Sequence, residues 1–109
     1  MKVLLVAGLV AKQSSFAKNL AEKLREKGYE VQLLFHPRYV LASDLSMFHL
    51  IIADYDMPFM NGIELIKKVK EKNPKIKFII LIDGFDNNLV IIDKGGEYLS
   101  DIENYINKM

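Results

Sequence analysis

The stretch Phe48–Gly62, FHLIIADYDMPFMNG, decides how the rest of the chain is read. It contains an uninterrupted apolar run, Leu50-Ile51-Ile52-Ala53, which suits a strand covered on both faces in the middle of a parallel sheet. The run stops at Asp54, and Asp56 follows two residues later. Met57-Pro58 then turns the chain, and Asn61-Gly62-Ile63-Glu64 has the pattern of a helix start. An Asn61 side chain can accept from an early helix amide while Glu64 reaches back to the cap residue. This order puts a carboxylate at the carboxyl end of a central strand, where open α/β sheets keep their chemistry.

Working outward, Lys2–Ala7 (KVLLVA) reads as a first apolar strand. Between Ser14 and Lys27, Phe16, Leu20 and Leu24 recur every fourth residue beside Ala17 and Ala21, one stripe of an amphipathic helix. Gly28 follows where a left-handed cap residue is wanted. Tyr29–Phe35 has the mixed pattern of an edge or near-edge strand, and Pro37 fits the first turn of a short helix carrying Tyr39, Val40, Leu41 and Leu45. A third helix is expected over Gly62–Lys72 with Ile63, Ile66 and Val69 inward, stopped by Asn73-Pro74. Phe78–Ile82 is a fourth buried strand.

Strands alternating with helices in this way predict an α/β fold: a flavodoxin-like, doubly wound, parallel five-stranded sheet of order 2-1-3-4-5. The last α/β unit is short, and two registers remain for it. In the preferred one, Asn87–Lys94 is a short helix, Gly95–Ser100 forms the turn and strand five, and Ser100 with Glu103 caps a final helix. In the other, Leu89–Asp93 is strand five, and so brief a link to strand four implies an antiparallel pair.

Length and composition bound the rest. The 109 residues suit one domain over 1–109, and 50% hydrophobic with 27% charged residues is a globular balance. A formal net charge of +1 gives no global steering toward nucleic acid. The chain has no cysteine, which removes disulfides, thiol catalysis and thiolate metal sites. The apolar run at the N-terminus is too short to span a bilayer, and the expected setting is cytoplasmic.

The spacing D-x-x-M-P-x-M-x-G, carried by Asp54, Met57, Pro58, Met60 and Gly62, resembles the phospho-acceptor segment of two-component response-regulator receiver domains. The resemblance covers most of the chain, includes the Gly28–Val31 junction and implies the same fold. It implies a signalling domain rather than an enzyme, with Asp54 as the residue that takes a phosphoryl group from a histidine kinase. Nucleophile and phosphoryl oxygens are all negative, so Mg²⁺ is required if phosphorylation is retained. By resemblance its ligands are Asp54, the Asp56 backbone carbonyl and an acidic pair after strand one. A hydroxyl after strand four and a lysine after strand five complete the family's set.

Much of that set is missing. Ala7-Gly8 stands at the acidic pair, Ile82 at the hydroxyl, and Asp101 at the lysine in the preferred register; only the other register offers Lys94. Asp83 is a further carboxylate near the same sheet edge. The expectation is therefore a degenerate receiver with weak or no phosphorylation at Asp54 and no resident cofactor. It would act by contact with a protein partner, or by self-association, through its C-terminal helix–strand–helix region and the Leu89–Ile92 run. A functional phospho-acceptor is the first alternative, and a flavodoxin-like small-molecule binder the second. The loop Ala7–Ser15 lacks a recognisable phosphate cradle, which counts against the second. The lysine run Lys67, Lys68, Lys70, Lys72, Lys75 and Lys77 reads as a solvated face without aromatic interleaving, so neither nucleic acid nor membrane is expected as a partner.

Overall fold

Among the described residues the elements follow in the order β1 (Lys2–Val6), α1 (Ala11–Glu26), β2 (Glu30–Leu34), α2 (Pro37–Ala42), β3 (Leu50–Asp54), α3 (Gly62–Lys72), β4 (Lys77–Leu81) and β5 (Ile91–Ile92). They come from a computed structural model that describes residues 1–7, 11–57, 59–81, 91–92, 104 and 107. All pairings are parallel and the order is β2-β1-β3-β4-β5, as the alternation of strands and helices predicts.

The apolar run of β3 is the axis of the sheet. Every one of its residues is buried, because β1 and β4 flank it and helices cover both faces. Its side chains alternate between two cores. Leu50 and Ile52 join Val3, Leu5, Ile79 and Leu81 against Ala17, Leu20, Ala21 and Leu24 of α1. Ile51 and Ala53 join Leu4, Val6 and Ile80 against Val40, Leu65, Ile66 and Val69. Each such aliphatic side chain contributes about 1.5–3 kcal/mol when fully withdrawn from water. β2 is an edge strand, with the mixed exposure that its sequence pattern implies.

The helix ends follow local chemistry. After α1, Gly28 takes φ +96°, its N–H donates to Arg25 O, and Tyr29 N–H donates to Leu24 O, which satisfies two terminal carbonyls. Pro37 opens α2, and His36 caps it by accepting from Arg38 N–H at 3.0 Å through Nδ1. Asn61 and Glu64 form the expected reciprocal cap of α3, at 2.9 Å and 3.5 Å. The inward stripe of α3 differs from the expected one by one residue. Leu65, Ile66 and Val69 are buried, whereas Ile63 is half-buried at the flank.

The largest correction concerns the last unit. Strand five is Ile91–Ile92, not Gly95–Ser100, so the preferred register falls. The antiparallel pairing expected of the other register falls too, since Ile80 pairs with Ile91 and Leu81 with Ile92 in parallel. A parallel return normally needs a long crossover to carry the chain back along the sheet. Here β5 pairs with Ile80 and Leu81, at the carboxyl end of β4. Asn104 and Asn107 are helical, consistent with a final helix, while its Ser100 cap, Tyr98 and the 87–90 segment lie outside the described residues.

Candidate functional site

Asp54 closes β3 opposite Leu81 and is only 2% exposed. Both of its carboxylate oxygens are shut off from solvent. The loop beyond it is drawn tight: Tyr55 N–H donates to Leu81 O at 3.0 Å, and Gly62 N–H donates to Tyr55 O at 2.9 Å. Gly62 is the reason this closure works. A Cβ built there would lie 2.6 Å from the backbone carbonyl oxygen of Asp54 and 3.2 Å from Ile80 Cδ1. The first residue of α3 thus rests on the backbone of Asp54, and only glycine allows that approach. Asp56 is exposed on the turn.

Where the acidic pair would begin, Ala7 is 1% exposed and its N–H donates to Leu34 O at 3.0 Å. A buried methyl group therefore occupies a position at which a cation site needs oxygen. Gly8, Ile82, Asp83, Lys94 and Asp101 lie outside the described residues. β5 at Ile91–Ile92 agrees with the register in which the lysine expected just past strand five would be Lys94 rather than Asp101.

Magnesium wants near-octahedral oxygen ligands from more than one carboxylate or from bound phosphate. Among the described residues no group of three or more His, Asp and Glu side chains converges. Among the described residues, Asp54 and the Asp56 carbonyl by themselves supply too few oxygens to hold a magnesium ion.

The structure also brings together residues that their sequence spacing does not link. Phe59, in the loop after Asp54, is 76% exposed and has φ 74°, a strained conformation for a bulky side chain. Its ring lies 4.7 Å from that of His36, and the Arg38 guanidinium carbon stands 5.5 Å over it. Tyr39, 62% exposed, meets His36 edge-on at 5.8 Å. Met60, by contrast, is half-buried against the α2–α3 core. His49 lies at the opposite end of the sheet, where its Nδ1 accepts from Lys2 N–H at 3.1 Å.

Comparison with known proteins agrees with this geometry. The chain is 52% identical over 33 residues to the uncharacterized transcriptional regulatory protein YesN of Bacillus subtilis (strain 168). That match spans 30% of this chain and 9% of the relative, a small part of its length. In fold, the chain is similar to the response regulator TrrA of Thermotoga maritima, solved in complex with Mg²⁺-BeF. The TM-score is 0.81 at 22% identity, over 98% of this chain and 96% of that one. It is equally similar to the solved complex of the histidine kinase ThkA with TrrA, with TM-score 0.81, 21% identity, and 98% and 96% of the two chains covered. At these identities the structures speak to the fold alone. A family model described as "Response regulator receiver domain" matches residues 9–95, which include Asp54, the Met57–Gly62 turn, β5 and Lys94. With most of its length matched in this way, the chain belongs to the response regulator receiver domain family.

Proposed function

We propose that this single receiver domain signals by protein–protein contact, with weak or no phosphorylation at Asp54. The observation that carries the reading is Ala7. A buried methyl group stands where the family's cation-holding carboxylate would be, at the end of the strand beside β3. Without that oxygen a divalent cation has too few ligands to neutralise an incoming phosphoryl group. The domain is then a signalling element rather than an enzyme, acting in the cytoplasm with no resident cofactor. No described helix is long and apolar enough to cross a membrane. The lysines of the α3–β4 region, five exposed and Lys70 half-buried, are read as a solvated face rather than a nucleic-acid site.

Intact-protein mass after brief exposure to acetyl phosphate and Mg²⁺ tests this directly. Neither wild type nor Asp54→Asn is expected to gain a phosphate. An adduct on wild type that disappears in Asp54→Asn would falsify the reading. A second experiment titrates Mg²⁺ by calorimetry, with no saturable binding expected at sub-millimolar concentration. A tight site lost in Asp54→Asn would count against the proposal.

One observation favours the alternative of a working phospho-acceptor. β5 at Ile91–Ile92 agrees with the register in which Lys94 matches the family's lysine in sequence, which supports a partly retained set. In that case a histidine kinase is the donor and Mg²⁺ enters with the phosphoryl group. The mass experiment separates the two readings.

A further inference from the structure

The outer flank of α3 and the lower half of β4 enclose a groove of about 530 Å³, lined by Ile63, Ile66, Lys67, Lys70, Glu71 and Phe78. Ile63, Ile66, Lys67, Lys70 and Glu71 recur at helical spacing, so one stripe of α3 forms an entire wall. This stripe adjoins the core-facing one. Ile63 and Phe78 are half-buried rather than enclosed, and Lys70 Nζ stands 5.0 Å over the Phe78 ring.

In sequence, only residues 82–90 lie between β4 and β5, fewer than the dozen or more that a helical parallel crossover takes.

We propose that this groove receives an amphipathic helix of a partner protein whose flanks are acidic. The apolar walls suit a helix inserting side chains at i, i+3 and i+4 spacing. Charge selects the kind of helix. Lys67 and Lys70 line the groove against the single acidic side chain Glu71, so its charged lining is net positive. A second copy docked on the same face would bring Lys67 and Lys70 toward their own symmetry mates, which disfavours a two-fold dimer. The inference rests on the reading of the domain as a contact module, and it places the contact on α3 and β4.

The test uses two synthetic helical peptides about sixteen residues long, roughly four turns. They share a leucine stripe, and one carries glutamate and the other lysine on its remaining faces. Each is titrated against the full chain without phosphodonor or Mg²⁺, with backbone amide shifts as readout. The glutamate peptide is expected to shift the amides of Ile63–Glu71 and Phe78 and to saturate below millimolar concentration, with the lysine peptide about tenfold weaker or more. Lys67→Glu combined with Lys70→Glu should reverse that order, with an unchanged circular dichroism spectrum showing that the fold is intact. Equal binding of both peptides, shifts confined to another surface, or no saturation would overturn the proposal. So would a concentration-dependent dimer that perturbs the same amides, or amides of Ile63 and Phe78 shielded from a soluble paramagnetic probe by the chain's own C-terminal residues. A chain that takes phosphate yet binds the acidic peptide loses the contact-only reading and keeps this one. A chain that does neither loses only the groove.

Discussion

Gly62→Ala is expected to destabilise the domain by about 2 kcal/mol, lowering the melting temperature by roughly ten degrees. Helix propensity argues for the opposite sign, because replacing a helical glycine with alanine ordinarily gains about 0.5–1 kcal/mol. The steric argument wins because of what the new methyl group would meet. It would sit 2.6 Å from the carbonyl oxygen of Asp54, a backbone atom of the central strand and not the end of a flexible side chain. β3 is held on both sides by parallel ladders, so α3 must move instead. Moving α3 strains the Gly62–Tyr55 hydrogen bond and the Asn61–Glu64 cap together. Gly28→Ala is the informative companion. Nothing lies within 4 Å of its added carbon, so the cost there is only the strain of φ +96°, about 1 kcal/mol. Urea unfolding of the three proteins decides the matter. A Gly62→Ala variant more stable than wild type would show that the helix does not rest on Asp54.

The second large effect separates two neighbours on α3. Leu65→Ala is expected to cost about 3 kcal/mol, since Leu65 is fully buried in the core between α3 and the sheet and its removal leaves a cavity. Ile63→Ala should cost about 1 kcal/mol, because that side chain is half-buried and borders the groove. Equal losses in thermal or urea unfolding would mean that the helix is rotated, with Ile63 inward. The contrast also bears on function: Ile63→Ala should weaken the acidic peptide while Leu65→Ala acts on the fold.

Phe59 shows how local rule and function separate around Asp54. A phenylalanine at φ 74° carries a strain of about 1–2 kcal/mol, yet its ring stays 76% exposed. The contacts with His36 and Arg38 offset part of that strain. Strained, exposed aromatic groups concentrate where proteins meet other molecules. The loop beside Asp54 therefore has the character of a contact surface, which supports the proposed action by protein–protein contact.

Much of this protein was legible in its sequence, for reasons that are local. Leu50–Ala53 had to be a doubly covered strand because an unbroken apolar run finds no other low-energy setting at that length. Asn61 and Glu64 announced the start of α3, and Gly28 the end of α1, because caps satisfy backbone groups within one turn. The strand order followed from alternation and handedness, and the resemblance of the Asp54–Gly62 segment to the receiver pattern pointed to the family whose model matches residues 9–95. What the sequence could not decide depended on contacts between distant segments. Both Leu89–Asp93 and Gly95–Ser100 have strand character, and only pairing with Ile80 and Leu81 chose Ile91–Ile92. That choice is the register in which the family resemblance offers Lys94, rather than Asp101, for the lysine position. The rotation of α3 was likewise ambiguous within one residue, since Ile63, Leu65 and Ile66 are equally apolar. Contact with the sheet turned Leu65 inward and left Ile63 at the rim of the groove. Local hydrogen bonding and hydrophobic periodicity are written in consecutive residues, whereas register and helix rotation are set by packing across the sheet.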